Sequence, residues 1–258
     1  MNRDGKQKQF TSEKNVQLLT IPGLEQIPRV RHAFTTRRNG LGARTNGFKL
    51  SGDWNVVAEA FGVAPDRVVT VNQVHGDTIV RVDDQNYTSL LPVEADAMVT
   101  NQAGIAIGVE TADCVPVLLV DPVIPAIGAV HAGWRSTVKK IVRKAVQTMQ
   151  DEFGSDPSRM IAAIGPAIGP ECYEVDEPVM GPVKESFSLW QKAASPLGND
   201  KWSLDLVKLN RIGIVQAGLP PGNVHSLGLC TCCRRDLFYS FRAEGRTGRM
   251  LSVIMIRP

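Results

Sequence analysis

The sequence predicts an α/β (α+β) fold in a single domain, and three observations carry that expectation. Strand-like and helix-like segments alternate from about residue 30 onward. No internal repeat or low-complexity linker interrupts them. At 258 residues the chain suits one large domain, and such a chain buries roughly three quarters of its unfolded surface. A core of that size folds without a disulfide or a metal, so a metal found here would serve chemistry rather than stability.

The elements follow in order. Residues 1–18 begin with the polar run MNRDGKQKQFTSEKN, which has no apolar signal core and reads as a disordered tail before a domain over 19–258. VRHAFTTR reads as a strand, and WNVVAEAFGV as a helix ended by Gly62 and Pro65. RVVTVNQVHG starts as a strand and stops at a glycine; DTIVRVDD is another short strand. ADAMVT leads into GIAIGVETADCVPVLLVD, two apolar runs split by polar residues at Glu110 to Asp113. AIGAVHAGW is strand then turn. From Ser136 to Phe153 the apolar positions Val138, Ile141, Val142, Ala145, Val146 and Met149 have helical spacing, with Ser136 as N-cap. MIAAIGPAIG is a buried strand, DEPVMGPVKESF and LDLVKLNRIGIVQAGL are helices, and NVHSLGL and MLSVIMIR are strands.

Composition limits the function classes. The chain is 43% hydrophobic and 21% charged, with a formal net charge of +3. Lys and Arg form no stripe, which argues against a nucleic-acid partner, while a small basic excess suits anions such as phosphate. No run of about 18 apolar residues is present to span a membrane. Five cysteines without a secretion signal point to free thiols in the cytoplasm.

Three apolar runs stop at a ligand-type residue beside a glycine or turn: His75 in NQVHG, Cys114 in TADC and His131 in VHAGWR. Strand ends of one sheet commonly converge on a site. Two imidazoles and one thiolate suit catalytic zinc, which takes three protein ligands and keeps a fourth position open. A bound zinc lowers the pKa of its water from about 15.7 towards about 7. The same atoms support a metal-free reading, with Cys114 as nucleophile, His131 or His75 as its base and Asp113 orienting a histidine. Each residue alone has a blander reading, a hydrogen-bonded histidine or an inert small thiol. The residues do not separate these alternatives.

Two further clusters stand out. CTCC (Cys230, Cys232, Cys233) resembles a structural zinc site at first, but it lacks a second ligand pair at zinc-finger spacing, with Cys172 its one free candidate partner, so buried thiols near a strand end are the better reading. FYSFRAEGRTGRM carries Arg242, Arg246 and Arg249 among glycines and reads as an anion-binding loop. IGPAIGPECYEV reads as a turn before Cys172 and Tyr173.

TTRRNG, NQVHG, TADCVPVLL, VHAGWR, IGPAIGPECYEV and SFRAEGRTGRM, in that order, resemble the YfiH-like family, once named laccase-domain or polyphenol oxidoreductase proteins and later described as purine nucleoside phosphorylases. The resemblance covers about residues 20 to 258. It implies a single domain of layered mixed β-sheet packed with helices, and zinc held by His75, Cys114 and His131. It also implies phosphorolysis of adenosine, inosine, guanosine and methylthioadenosine, and deamination of adenosine. Some family members are linked to cell-wall peptide fidelity. Copper is a possible second metal for such a ligand set. Two departures are visible: Ser136 follows HAGWR where a glycine is common, and GFKLSGD, with Lys49, is shortened where a Ser-x-Asn-Leu-type segment is common.

The expected function is therefore zinc-dependent chemistry on purine nucleosides and phosphate. Arg135 and Arg37, beside site motifs, and Arg242 and Arg249, in the C-terminal loop, are the expected anion contacts. Asp113 is expected to carry a proton or orient a histidine. The rivals are a metal-free Cys–His amide hydrolase acting on muropeptides, a copper-dependent phenol oxidase, and a non-catalytic nucleoside binder. Four histidines (His32, His75, His131, His225) are too few for a multicopper ligand set.

Overall fold

A computed structural model of the chain describes residues 10–13, 16–39, 53–90 and 92–258. The chain begins with β1 (Phe10–Glu13), β2 (Val16–Leu19), α1 (Pro22–Glu25), β3 (Val30–Phe34) and α2 (Asp53–Phe61). It continues through β4 (Val68–Val69), β5 (Ile79–Arg81), β6 (Ala97–Thr100), β7 (Ala106–Thr111), β8 (Val115–Asp121) and β9 (Ala126–Ala132). Next come α3 (Trp134–Val138), α4 (Ile141–Phe153), β10 (Ile161–Ile164), β11 (Glu174–Val175), α5 (Glu177–Ser186), β12 (Ala194–Gly198) and β13 (Lys201–Leu204). The last elements are α6 (Leu206–Gln216), β14 (Val224–Ser226), α7 (Phe241–Glu244) and β15 (Met250–Ile256).

Two six-stranded mixed sheets form the frame, ordered β1-β2-β3-β15-β7-β4 and β14-β10-β8-β9-β6-β5. They pack face to face. Ile107, Val109, Phe34 and Ile254 of the first meet Leu118, Val120, Ile127 and Met98 of the second. The outer face of the second sheet carries α4, α5 and α6 through Val117, Leu119 and Val130. The outer face of the first carries α2 through Ala33, Ala106, Leu251 and Val253. The layers are thus helix, sheet, sheet, helix. Central strands are covered on both faces, which is why β8, β9 and β15 are buried at every position and read as continuous apolar runs.

The mixed α/β reading holds, with four local corrections. β1 and β2 occupy part of the stretch expected to be a disordered tail; β2 joins β3 at the edge of the first sheet. The helix expected over Ser136 to Phe153 is two helices. Lys140 sits between them in the left-handed region (φ 63°), and its side chain lies on the Phe187 ring and the Ser186 carbonyl. Ser136 therefore lies inside α3, fully buried, and caps nothing; Gly133 is the N-cap residue of α3. A third, antiparallel sheet, β11-β13-β12, has no counterpart in the sequence reading. Its hairpin turns through Asn199 and Asp200 at positive φ, and Pro196 lies on its edge strand. GFKLSGD, with Lys49, lies outside the described residues as far as residue 52. Among the described residues no helix is long and apolar enough to cross a membrane.

Candidate metal centre

His75, Cys114 and His131 meet at one point. One ligand atom from each lies within 4.8 Å of the other two. Their origins differ from the expectation of strand ends in one sheet. His75 lies in the loop between β4 and β5, Cys114 in the crossing from β7 of the first sheet to β8 of the second, and His131 within β9. The site forms where the chain passes between the two sheets. By strand alternation His131 shares a face with Ile127 and Ala129, the face turned towards the first sheet.

Local contacts hold each ligand in place. Gln73 exchanges two 2.8 Å hydrogen bonds with the backbone of Glu110, tying the His75 loop to β7. His75 has φ 58°, an uncommon conformation for a residue with a side chain. The backbone N–H groups of Val74, His75 and Gly76 donate to the Asp96 carboxylate at 3.2, 3.0 and 2.6 Å and hold that loop. Asp96 is fully buried, and its Oδ1 lies 2.7 Å from His131 Nδ1. The carboxylate thereby fixes the ring and leaves Nε2 available to a metal. Gly133 of the HAGWR motif completes the cradle. A Cβ there would lie 2.9 Å from His75 Cδ2 and 3.1 Å from Cys114 Sγ, so a larger residue would press on two ligands.

The electrostatics are those of a thiolate site. Burial by itself would raise the Cys114 pKa, but the His131 charge and hydrogen bonds from both histidines bring it down to about 6. Burial would lower His131, yet Cys114 and Asp96 lift it to about 9. Cys114 Sγ stands 3.7 Å from His75 Nε2, and the imidazole rings are 4.8 Å apart, edge to face. A divalent ion here would replace the proton these groups share. One thiolate, two imidazoles, an anchoring carboxylate and a glycine cradle fit a borderline-soft ion such as zinc.

The remaining expected residues separate into two groups. Arg135 is exposed, with its guanidinium 4.4 Å from the Trp134 ring. Arg242 lies 5.3 Å from the Tyr173 ring and gives one N–H to the Glu174 carbonyl. The Arg242 backbone N–H donates to Asp113, the neighbour of Cys114 in sequence, and Arg135 follows two residues after Gly133, which borders His75 and Cys114, so both arginines lie beside the centre. Burial and then the Cys114 charge push the Tyr173 phenol up to about 12, which keeps it protonated. Arg37 is engaged elsewhere: it bonds the Arg235 and Phe238 carbonyls and the Glu244 carboxylate. Arg249 bonds the carbonyls of Thr247 and Gly248 in its own loop. Asp113 does not orient a histidine; its carboxylate accepts from Thr231 Oγ1 and the Arg242 backbone N–H, both at 2.6 Å. Asp96 holds the histidine instead. Asp96, Gln73 and Tyr173 escaped the sequence reading. The one available signal was a lone Asp opening the apolar strand AMVT.

A second group of thiols gathers on the surface. Cys172, Cys230 and Cys233 also place their sulfurs within 4.8 Å of one another. The expectation of buried thiols is corrected, since Cys233 is exposed and the others half-buried.

Residues 31–257 match the family described as multi-copper polyphenol oxidoreductase laccase. Purine nucleoside phosphorylase YlmD of Bacillus subtilis is 35% identical over 206 residues, 77% of this chain and 74% of the relative. Adenosine deaminase RL5, from an unknown prokaryotic organism, is 35% identical over 208 residues, 77% of this chain and 78% of the relative. The crystal structure of the hypothetical protein YfiH of Bacillus licheniformis superposes with a TM-score of 0.84 at 31% identity, covering 93% of this chain and 96% of that one. On sequence and fold together, this chain belongs to the YfiH-like family of laccase-domain proteins, whose members similar to it include proteins named purine nucleoside phosphorylase and adenosine deaminase.

Proposed function

We propose that the protein is a zinc-dependent purine nucleoside phosphorylase, acting on adenosine, inosine, guanosine and methylthioadenosine, that also deaminates adenosine. The observation that carries this reading is the convergence of His75, Cys114 and His131 around one point, with Asp96 holding His131. The relatives' names supply the substrate class: phosphorylase for one, adenosine deaminase for another. All five cysteines are free thiols, in keeping with work in the cytoplasm.

Held by His75, Cys114 and His131, zinc would supply Lewis acidity. The chain's own groups do the rest. Cys114 enters as a thiolate, and Asp96 keeps the His131 ring in one tautomer and one orientation. Arg135 and Arg242, both exposed beside Tyr173, are the cations placed to hold phosphate. In phosphorolysis a phosphate oxygen attacks C1′ of the ribose. The C1′–N9 bond breaks, its electron pair leaves with the purine, and the purine takes a proton. In deamination water adds at C6 and ammonia departs, so phosphate is not required. Arg37 and Arg249, bound to backbone carbonyls, keep structural work in this scheme.

A second reading rests on one observation. Cys114, His131 and Asp96 also form a thiol, imidazole and carboxylate series, the arrangement of a Cys–His amide hydrolase for muropeptides. A copper-dependent phenol oxidase is disfavoured by its ligand needs. His32, buried at 4% exposure, is occupied as an acceptor for the Ile21 N–H at 2.8 Å and serves the fold. Mass spectrometry of products from adenosine, with and without phosphate, separates the readings. Inosine should form in both cases, and adenine with ribose 1-phosphate only when phosphate is present. Amide cleavage by metal-free protein, with no nucleoside turnover, would establish the hydrolase.

A further inference from the structure

The Cys172–Cys230–Cys233 cluster lies outside the catalytic proposal and has its own architecture. Cys172 sits in the loop between β10 and β11, while Cys230 and Cys233 follow β14, so the fold brings together sulfurs 61 residues apart. Cys172 Sγ and Cys233 Sγ are 3.4 Å apart, too close for indifferent neighbours and too far for a disulfide. Cys230 and Cys233 are separated by two intervening residues, the spacing that lets both sulfurs of one short turn face a single ion. Cys232 lies in the same turn.

The backbone is shaped around the sulfurs. The N–H groups of Gly169 and Cys233 point at Cys230 Sγ, at 3.1 and 3.4 Å. Such donors stabilise a sulfur carrying negative charge. Gly169 permits the close approach: a Cβ there would lie 3.4 Å from Cys230 Sγ and 3.0 Å from Glu171 Oε2. Thr231 between the cysteines is fully buried; its hydroxyl donates to Asp113 and its N–H to the Ala167 carbonyl, so the turn is anchored to the core. Two sulfurs from an anchored turn and one from the facing loop form a soft, compact donor set. That is the chemistry of closed, structural zinc sites rather than of hard cations.

We propose that Cys172, Cys230 and Cys233 form a second metal site, a structural zinc–thiolate site whose fourth position is filled by Cys232 or solvent. Its zinc staples the β10–β11 loop, which carries Tyr173, to the turn that carries Thr231, the partner of Asp113. The site is separate from the His75–Cys114–His131 centre and does not depend on what that centre catalyses.

The test uses full-length protein carrying Cys114→Ala, which disables the first centre. The protein is reduced, stripped with a chelator and titrated anaerobically with Co2+. One equivalent should bind, with sulfur-to-cobalt charge-transfer absorption and tetrahedral ligand-field bands, and one equivalent of Zn2+ should displace it. Adding Cys233→Ser, at an exposed position, should abolish the spectrum while circular dichroism stays that of a folded chain. Cys172→Ser should do the same. No cobalt–thiolate band in the Cys114→Ala protein would overturn the proposal. So would an undiminished band after both serine changes, or a Cys172–Cys233 disulfide in peptides from protein purified under reducing conditions.

Discussion

The two thiol-containing clusters are built in opposite ways. The His75–Cys114–His131 centre draws its ligands from three distant segments and sets them between two sheets. Three backbone N–H groups, a buried carboxylate and a glycine cradle hold it. The Cys172–Cys230–Cys233 cluster lies on surface loops and draws two of its sulfurs from one short turn. A centre fixed by a rigid frame keeps its geometry whether or not an ion is present, which suits chemistry at an open position. A cluster on loops gains order from its ion, which suits a staple. The comparison predicts that damage to the frame will cost the first centre its activity, while damage to the loops will cost mainly stability.

The largest effect should follow from filling the cradle. Gly133→Ala places a methyl group against His75 and Cys114. It should lower bound metal at the first centre well below stoichiometric and take nucleoside turnover towards background, as read by elemental analysis and product assay. Full metal and activity in that variant would mean the cradle is not tight. Asp96→Asn comes next. It removes the charge that holds His131 and weakens the hold on the His75 loop, and loss of such an anchoring group typically costs about 10- to 100-fold in metal affinity or activity. Isothermal titration of the stripped protein with Zn2+ measures it. If affinity is unchanged, the carboxylate is not what positions the histidine.

Arg135→Ala should show a smaller, selective loss. Removing a charge-assisted contact costs roughly 1.5–3 kcal/mol, about ten- to a hundred-fold in rate. The loss should appear in phosphorolysis and spare deamination, which needs no phosphate. Equal losses in both would remove Arg135 from the phosphate site. The smallest effect on catalysis should come from Cys233→Ser. That exposed thiol belongs to the loop cluster, so turnover should stay within a few-fold of wild type while thermal stability falls, read by calorimetry beside the product assay. A collapse of activity would couple the two clusters more tightly than this account allows.

Much of the frame was legible in the sequence because burial on both faces writes long apolar runs. β8, β9 and β15 are such runs, and the polar breaks beside them exposed Cys114 and His131. What escaped depends on contacts between distant residues. Asp96 is a lone acid whose partners lie 20 to 22 and 35 residues away. The helix break at Lys140 is fixed by Phe187 and Ser186 across the packing, so local periodicity ran through it. The pairing of Cys172 with Cys233 spans 61 residues and has no local sign beyond the cysteines themselves. Arg37 and Arg135 each flank a site motif in the sequence, but only the fold shows one tied to backbone carbonyls and the other exposed beside the centre.

If the frame-held centre carries out purine nucleoside chemistry with a metal ion, its zinc and its turnover stand or fall together. The most direct measurement compares zinc-loaded wild type with Cys114→Ala on inosine, with and without phosphate, following products by mass spectrometry and zinc by elemental analysis. Wild type should release hypoxanthine and ribose 1-phosphate only in the presence of phosphate, and Cys114→Ala should lose the first-centre zinc and the turnover together. Undiminished turnover by Cys114→Ala without that zinc, or no turnover of any purine nucleoside by the zinc-loaded wild type, would contradict the account.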